Sequence, residues 1–210
     1  MSEVVNAHEF FEQGQIPMCV FRIPYMEDHR LRHSHDFYEI MVVVAGQATH
    51  HFDDVVSSIS MGDVYVIPPG HEHSYQTAKG TGLELVNVLF DLEKLDLKMR
   101  DLADIPGFHA LFTQELAGHS GPHLKLKAKD LAFVNGIVER IEVEQEGVEP
   151  GWEFYCETRL RDLILFLSRR YSHVATRAGQ SVMKIRHLAS FLERHLGEPL
   201  TFEALLEESD

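Results

Sequence analysis

The sequence contains few cysteines, few basic residues and no long apolar run. Its two cysteines, Cys19 and Cys156, lie far apart without a CxxC grouping, so a reducing cytosol is expected rather than a disulfide framework or cysteine-based zinc site. Lys and Arg total 19 against 33 Asp and Glu, a net charge of −14, which disfavours nonspecific binding to nucleic acid or anionic membranes. Glu3, Glu9 and Glu12 stand where a signal peptide needs basic residues, and no stretch approaches transmembrane length. We therefore expect a cytoplasmic protein with no membrane partner.

Three residues in the stretch HSHDFYEI have the identity and spacing of metal ligands. Side chains two positions apart in an extended strand share a face, so His33, His35 and Glu39 are expected to project to the same side. Imidazole and carboxylate groups suit divalent ions such as zinc, iron(II), nickel or manganese when further ligands close the site, and His73 is the candidate for that role. The alternative is a pocket without metal, in which the histidines hydrogen-bond a sugar hydroxyl or each other.

The spacing of these residues resembles both motifs of the cupin superfamily. The motifs are His33-x-His35-x3-Glu39-x6-Gly46 and Gly62-x5-Pro68-x-Gly70-x2-His73. The resemblance implies a small antiparallel barrel, a double-stranded β-helix or jelly roll, whose two motif strands lie side by side and bring the four ligands together inside. Two positions depart from the pattern, because Glu27 stands where a glycine is expected and Thr77 where an asparagine is expected. Neither position is a ligand.

Further side chains are predicted to line a pocket around this group. Gly70 permits a sharp bend that aims His73 inward, and two-residue spacing places His71 and Tyr75 on the same face. Both faces are apolar from residue 37 to 44, which indicates a strand buried by the barrel interior on one side and by a helix or partner subunit on the other. The predicted pocket residues are His71, Tyr75, Phe37 and Met41.

Other stretches are expected to lie away from this site. Residues 1–17 are predicted to be a terminal arm without regular structure, packed or frayed rather than closed over a cavity mouth. His50 and His51 occupy opposite faces of their strand and are interpreted as exposed residues. The last strand is expected at 83–91, followed by short helical or irregular pieces to residue 128. The scattered histidines of that region are expected at the surface, namely His109, His119 and His123.

Two amphipathic helices are predicted next, at 129–146 and from Trp152 to about Val174, joined as an antiparallel hairpin. The second helix carries an apolar stripe of Leu160, Leu163, Leu167 and Tyr171. Either the hairpin packs only on its own barrel, or this stripe also pairs with the same helix of a second subunit. A helix this apolar is hard to cover within one small domain, so we expect a homodimer with the stripe as its interface.

The last part of the sequence reverses the acidic trend locally. A small and polar linker at 175–181 precedes an amphipathic segment with Lys184, Arg186 and Arg194, and Thr201 then stands at an N-cap position. This arrangement resembles the start of the DNA-binding region of AraC/XylS-family transcription regulators, truncated within the first helix-turn-helix. HSHDFYEI and GDVYVIPPGHEHSY are similar to the sensor domains of sugar regulators in that family, rhamnose-type ones included. Since neither recognition helix is present, specific operator binding by these residues alone is not expected.

Together these features predict a mixed fold, β then α, with four parts. A cupin effector-binding barrel with its arm occupies 1–100, a helical dimerisation region 101–174, the linker 175–181, and a partial DNA-binding region 182–210. The resemblance implies a sensor that binds a small polar metabolite, a sugar or related molecule, and that contacts DNA only through its incomplete C-terminal region. The competing hypothesis is a metal-dependent cupin enzyme, an isomerase or dioxygenase. The helical second half favours the regulator, because a free-standing cupin enzyme needs neither the hairpin nor a helix-turn-helix.

Overall fold

The computed structural model describes residues 3–11, 15–26, 29–78, 81–95, 102, 105, 107–112 and 123–174. The strands are β1 (Glu3–Val5), β2 (Met18–Met26), β3 (His29–His35), β4 (Tyr38–Phe52), β5 (Val55–Ser60), β6 (Asp63–Ile67), β7 (His73–Gln76), β8 (Leu83–Phe90) and β9 (His123–Lys125). The helices are α1 (Phe108–Phe112), α2 (Ala128–Gly147) and α3 (Trp152–Val174), with a 3-10 turn at Ala7–Glu9. The predicted linker and DNA-binding region lie outside these residues. No helix in the described parts of the chain is long and apolar enough to cross a membrane.

The long strand β4 belongs to two packed sheets and joins them into a curled, cupin-like half-barrel. Its first half pairs with β6 and β8, and its second half pairs with β5 and β7. Among the residues that the structure describes, each strand pairing is antiparallel except that of β1 with β3, which is parallel. The predicted fold class is confirmed, with the difference that the sheet is mixed rather than purely antiparallel.

Both faces of β4 are buried, as its sequence predicts, and a bulge divides the strand. Met41 belongs to an interior cluster between the sheets, while Val42 belongs to an outer cluster shared with the helices. The register with β8 shifts between Val43 and Ala45, and Gly46 follows with a φ of 82°. Only glycine fits there, since a Cβ would lie 1.8 Å from the carbonyl oxygen of Gly82. The bulge exchanges the faces of β4, so even-numbered residues point inward beyond it.

The helices cover the outer face of the sheet that contains β6 and β8, and they do so within one chain. Leu160, Leu163 and Leu167 are each 0% exposed and share a cluster with Val88 of β8. The predicted dimer interface is therefore wrong for these three leucines, because their own barrel already buries them. Tyr171, the fourth residue of the stripe, is partly buried against the same cluster.

Helix α2 also covers the open edge of β2. The backbone N–H of Val20 donates a hydrogen bond to Gln145 Oε1 at 3.0 Å, where a neighbouring strand would otherwise bond. Arg22 Nε lies 2.9 Å from Glu142 Oε1, which adds an ion pair between the same two elements. Polar side chains of the helix thus occupy this edge of the sheet.

Strand β9, which the sequence does not predict, joins the helical region to the barrel through a buried carboxylate. His123 Nε2 and Lys125 Nζ lie 2.7 and 2.8 Å from the two oxygens of Asp63, which is 4% exposed. Burial opposes ionisation of Asp63, but these partners and the backbone N–H of Ser60 outweigh it and lower its pKa to about 2. His123 is thus a partly buried structural residue rather than a free surface histidine. His109 is also partly buried, and His119 lies outside the described residues.

Candidate metal and effector site

Three predicted ligands from three different strands meet inside the barrel. His33 of β3, Glu39 of β4 and His73 of β7 each offer one ligand atom, and these atoms all lie within 4.8 Å of one another. All three residues are at most 3% exposed. The expectation that His33 and Glu39 share one extended strand is wrong, because the chain bends at residues 36–37 between β3 and β4. The bend preserves the inward direction of both side chains.

The glycine turn before β7 fixes the position of the third ligand. Gly70 has a φ of 84°, a left-handed conformation that glycine adopts without strain, and its N–H donates to the carbonyl oxygen of His35 at 2.8 Å. This bond holds the approach to β7 against β3. His33 and His73 consequently become register partners, with ring centroids 4.2 Å apart.

His35 stands beside this group rather than within it. Its Nε2 lies 3.5 Å from Glu39 Oε2, but it is not part of the set whose ligand atoms are mutually within 4.8 Å. Its ring stacks on Phe37 with centroids 4.4 Å apart and planes 7° from parallel. The structure therefore brings together three of the four predicted ligands and places the fourth in contact with their carboxylate.

Hydrogen bonds at Nδ1 orient the imidazoles. His33 Nδ1 lies 3.0 Å from the carbonyl oxygen of Leu31, and His35 Nδ1 lies 2.7 Å from that of Phe37. A carbonyl oxygen only accepts, so each Nδ1 carries a proton, and in the neutral form of the ring the lone pair lies at Nε2. His73 Nδ1 is bonded to the Tyr75 hydroxyl at 3.1 Å. Such outer partners are the usual support of metal-binding histidines, and the donor set of nitrogens and a carboxylate fits zinc, iron(II), nickel or manganese.

The space enclosed by these residues is small. The cavity has a volume of about 10 Å³, which is close to the minimum that holds one water molecule and much too small for a sugar. An ion fits such a space, whereas an organic ligand needs its walls to move. The lining residues are Val5, Phe10, Phe21, His33, His35, Phe37, Glu39, Asn87 and Leu89.

The N-terminal arm forms part of the cavity wall, which overturns the expectation of a merely packed or frayed terminus. Strand β1 pairs with β3 beside the ligands, in register Glu3 to His33. The Ala7 N–H donates to Asp36 Oδ1 at 2.6 Å, and Phe10 contacts Phe37 with ring centroids 5.6 Å apart. The arm thus closes this side of the barrel with its own aromatic ring.

Of the predicted pocket residues, Phe37 lines the cavity and the other three do not. Met41 and Tyr75 are buried in the interior cluster, where Tyr75 reaches the site only through His73. His71 instead bonds Asp53 Oδ2 at 2.6 Å and stacks on Phe52. Strand alternation misplaced His71 because β7 begins only at His73.

The sequence interpretation missed two interior polar residues, Asn87 and His50. Asn87 is 1% exposed and lines the cavity, and its position as the one amide in the apolar strand LELVNVLF is a signal that could have identified it. His50 is 0% exposed rather than exposed as expected, with its ring 4.4 Å from Tyr65 and 5.1 Å from Tyr75. Burial, with smaller contributions from His123 and His51, lowers the pKa of His50 to about 3.

Comparison with known proteins assigns the chain to a class. Residues 15–145 match the family described as AraC-like ligand binding domain, and the chain belongs to that family. It is similar to the HTH-type transcriptional activator RhaR of Escherichia coli K12, with 27% identity over 202 residues, 96% of this chain and 68% of the relative. RhaR of Shigella flexneri matches with the same identity and coverage. These relatives are transcription regulators.

Solved cupin structures resemble parts of the chain. A cupin protein from Bacteroides fragilis is 17% identical, with 38% of this chain and 69% of that chain covered and a TM-score of 0.33. A Cupin 2 conserved barrel domain protein from Salinispora arenicola is 21% identical, with coverage of 40% and 71% and a TM-score of 0.34. Oxalate decarboxylase of Bacillus subtilis, which has Mn(II) centres, is 20% identical, with coverage of 40% and 24% and a TM-score of 0.34.

Proposed function

We propose that this chain is the effector-binding and dimerisation part of an AraC-family transcriptional regulator whose effector is a small polar metabolite, a sugar. The observation that carries the proposal is the buried group of His33, Glu39 and His73, enclosed by a barrel that belongs to a ligand-binding family. Two imidazoles and a carboxylate that converge inside an otherwise largely apolar barrel are the few convergent polar groups typical of a ligand pocket, which favours a recognition site over a structural core.

The same group is proposed to hold a divalent transition metal. His33, Glu39 and His73 are the ligands, and His35 is the nearest additional donor, since its Nε2 already lies 3.5 Å from the carboxylate. A buried carboxylate is stabilised when it coordinates a cation. A bound metal would supply a Lewis acid that attracts an oxygen atom of the effector. Around it, the aromatic wall orients the effector and excludes water.

Effector entry is proposed to require movement of the arm. The cavity of about 10 Å³ has no room for a sugar, and Val5 and Phe10 are parts of its wall that belong to the arm. An effector that binds only when these residues move has unequal affinity for two arrangements of the chain, which is the thermodynamic requirement for a signal. In the proposed regulator the signal passes to DNA through the C-terminal region that begins at residue 182.

The proposed homodimer uses a different face of the hairpin from the buried leucines. Phe133 on α2 is 44% exposed, and Phe154 on α3 is 78% exposed. Phe133 also contacts Phe166 of α3 with ring centroids 4.4 Å apart, and the Arg170 guanidinium lies over the ring of Phe166. The Phe133–Phe166 pair is thus one exposed aromatic group on the packed helices, and Phe154 is a separate exposed ring near the start of α3. Exposed apolar groups of this kind suit a second copy of the same chain.

A thermal-shift screen of the chain with sugars and sugar acids tests the function. Ligands that bind the folded state raise the melting temperature by mass action, so at least one sugar is expected to do so in a concentration-dependent manner. The same response is expected to disappear in the variant His73→Ala and to persist in His51→Ala, which alters the opposite face of β4. A screen in which no sugar or sugar acid stabilises the wild type would contradict the proposal.

The ligand set of histidines and a carboxylate also favours a second candidate, a metal-dependent cupin isomerase or dioxygenase. This candidate predicts chemical turnover in the presence of the metal. Product analysis of the sugars that bind, with and without oxygen, separates the two functions: unchanged ligand supports the regulator, and a new product supports the enzyme.

A further inference from the structure

Asn87 lies in the wall of the cavity, and its side-chain oxygen has no hydrogen-bond partner among the described residues. The residue is 1% exposed and lines the same cavity as His33 and Glu39. A buried amide oxygen without a partner costs about 1–3 kcal/mol. Native structures retain such groups mainly where water, an ion or a ligand completes them.

The neighbours of Asn87 in the sheet cannot supply that partner. Its register neighbours are Phe21 on β2 and Met41 on β4, and the residues two positions away on its own strand are Leu85 and Leu89. None of these side chains has a hydrogen-bond donor. The lining histidines His33 and His35 direct Nδ1 at the carbonyl oxygens of Leu31 and Phe37. We therefore expect the donor for Oδ1 to be a molecule in the cavity.

We infer that Asn87 is a specificity-determining residue of the effector site, whose Oδ1 accepts a hydrogen bond from one hydroxyl group of a carbohydrate. The inference rests on the proposed function and names a residue and a ligand chemistry that extend it. Three phenylalanines line the same cavity, Phe10, Phe21 and Phe37. Their rings suit the C–H faces of a sugar, while Asn87 accepts a hydrogen bond from a hydroxyl group at the edge of the sugar ring.

A single hydrogen bond of this kind gives selectivity against analogues. A ligand that lacks the matching hydroxyl buries Asn87 without a partner, so it loses the bond and leaves the acceptor desolvated. Loss of one neutral hydrogen bond weakens binding by about tenfold, and an orphaned acceptor adds to this loss. The effector is thus expected to be distinguished from its deoxy analogue at one position.

The test measures sugar binding by the full chain and two variants. The probes are L-rhamnose and a panel of aldohexoses, 6-deoxyhexoses and their single-deoxy analogues. Binding of each probe is measured by thermal shift and calorimetric titration. Asn87→Leu is expected to keep or raise the melting temperature without sugar and to weaken sugar binding by about tenfold or more. Asn135→Leu is the matched control, because Asn135 Oδ1 on α2 is also buried without a described partner but does not line the cavity.

The outcomes separate the inference from the function on which it rests. A wild type that no sugar stabilises would overturn both. Sugar binding that is as strong in Asn87→Leu as in the wild type and Asn135→Leu would overturn the role of Asn87 and leave the regulator intact. If leucine is too large for the site and prevents folding, the deciding quantity is the Kd of Asn87→Ala against that of Asn135→Ala, and equal values would overturn the inference.

Discussion

His33 and His73 lie opposite each other on β3 and β7, with ring centroids 4.2 Å apart inside the barrel. Two imidazoles in this position can direct lone pairs at a single ion, and the Glu39 carboxylate completes the arrangement with Oε2 at 3.8 Å from His73 Nε2. Residues that are distant along the chain thus form one site because two short motifs place their strands side by side.

Metal content is the first measurable consequence. Protein purified without chelator is expected to carry close to one divalent transition metal per chain, because three donors already converge at the site. The double variant His33→Ala/Glu39→Ala is expected to lose it, while His51→Ala on the other face of β4 keeps it. Elemental analysis of the three proteins checks this. Metal retained by the double variant would place the ion elsewhere.

The hairpin makes opposite predictions for its buried and exposed apolar residues. Phe133→Glu is expected to give folded monomers, since it places a charge on the proposed dimer surface, where Phe133 is 44% exposed. Leu163→Glu is expected to unfold the protein instead, because the residue is 0% exposed within one chain. Sedimentation and circular dichroism distinguish the two results. A folded, monomeric Leu163→Glu variant would restore the leucine stripe as the interface.

The buried His50 predicts a loss of stability in mild acid. In the unfolded chain His50 takes up a proton near its ordinary pKa of 6.5, whereas in the folded barrel it does so only near about 3. Below pH 6.5 the unfolded state therefore binds the extra proton, and stability falls by up to about 1.4 kcal/mol per pH unit. Urea unfolding of wild type and His50→Leu between pH 7 and 5 isolates this slope, since other groups cancel in the difference. If the free energy of unfolding depends on pH in the same way in both proteins, this would contradict the burial of a neutral imidazole.

The carboxylate that anchors β9 predicts an unequal pair of mutational effects. Asp63→Ala is expected to destabilise the chain by about 1–3 kcal/mol, because it leaves several donors without their acceptor. Lys125→Met is expected to cost about 0–1 kcal/mol, as for most exposed ion pairs, since the lysine side chain is 48% exposed. Denaturant midpoints of both variants provide the comparison. Equal losses would indicate that Lys125, rather than the whole network, holds Asp63.

The barrel and most of its site could be predicted because two motifs of the sequence resemble those of the cupin superfamily. This resemblance implies that His33 and His73 meet, and the doubly apolar run at 37–44 indicates a strand covered on both sides. The burial of His50 could not be predicted in this way. Two-residue alternation assigns faces only within an uninterrupted strand, and the bulge after Val43 exchanges the faces of β4.

Other features depend on partners that lie far away along the chain. Strands β1 and β9 have three residues each, too few for a pattern, and they form only because β3 and β6 offer them an edge. The apolar stripe on α3 predicts that Leu163 is buried. Periodicity alone does not show whether the surface that covers it belongs to the same chain or to another. The barrel of the same chain covers it.

The bond from Val20 N–H to Gln145 Oε1 also affects how copies of the protein meet. The unpaired backbone groups of an uncovered edge strand can pair with a strand of another chain, and repeated addition of this kind leads to open-ended aggregates. With a glutamine from α2 occupying this edge, association by strand addition is blocked there, and contacts between helices remain. This arrangement is compatible with the proposed closed pair of subunits and opposes a growing fibre at this strand edge.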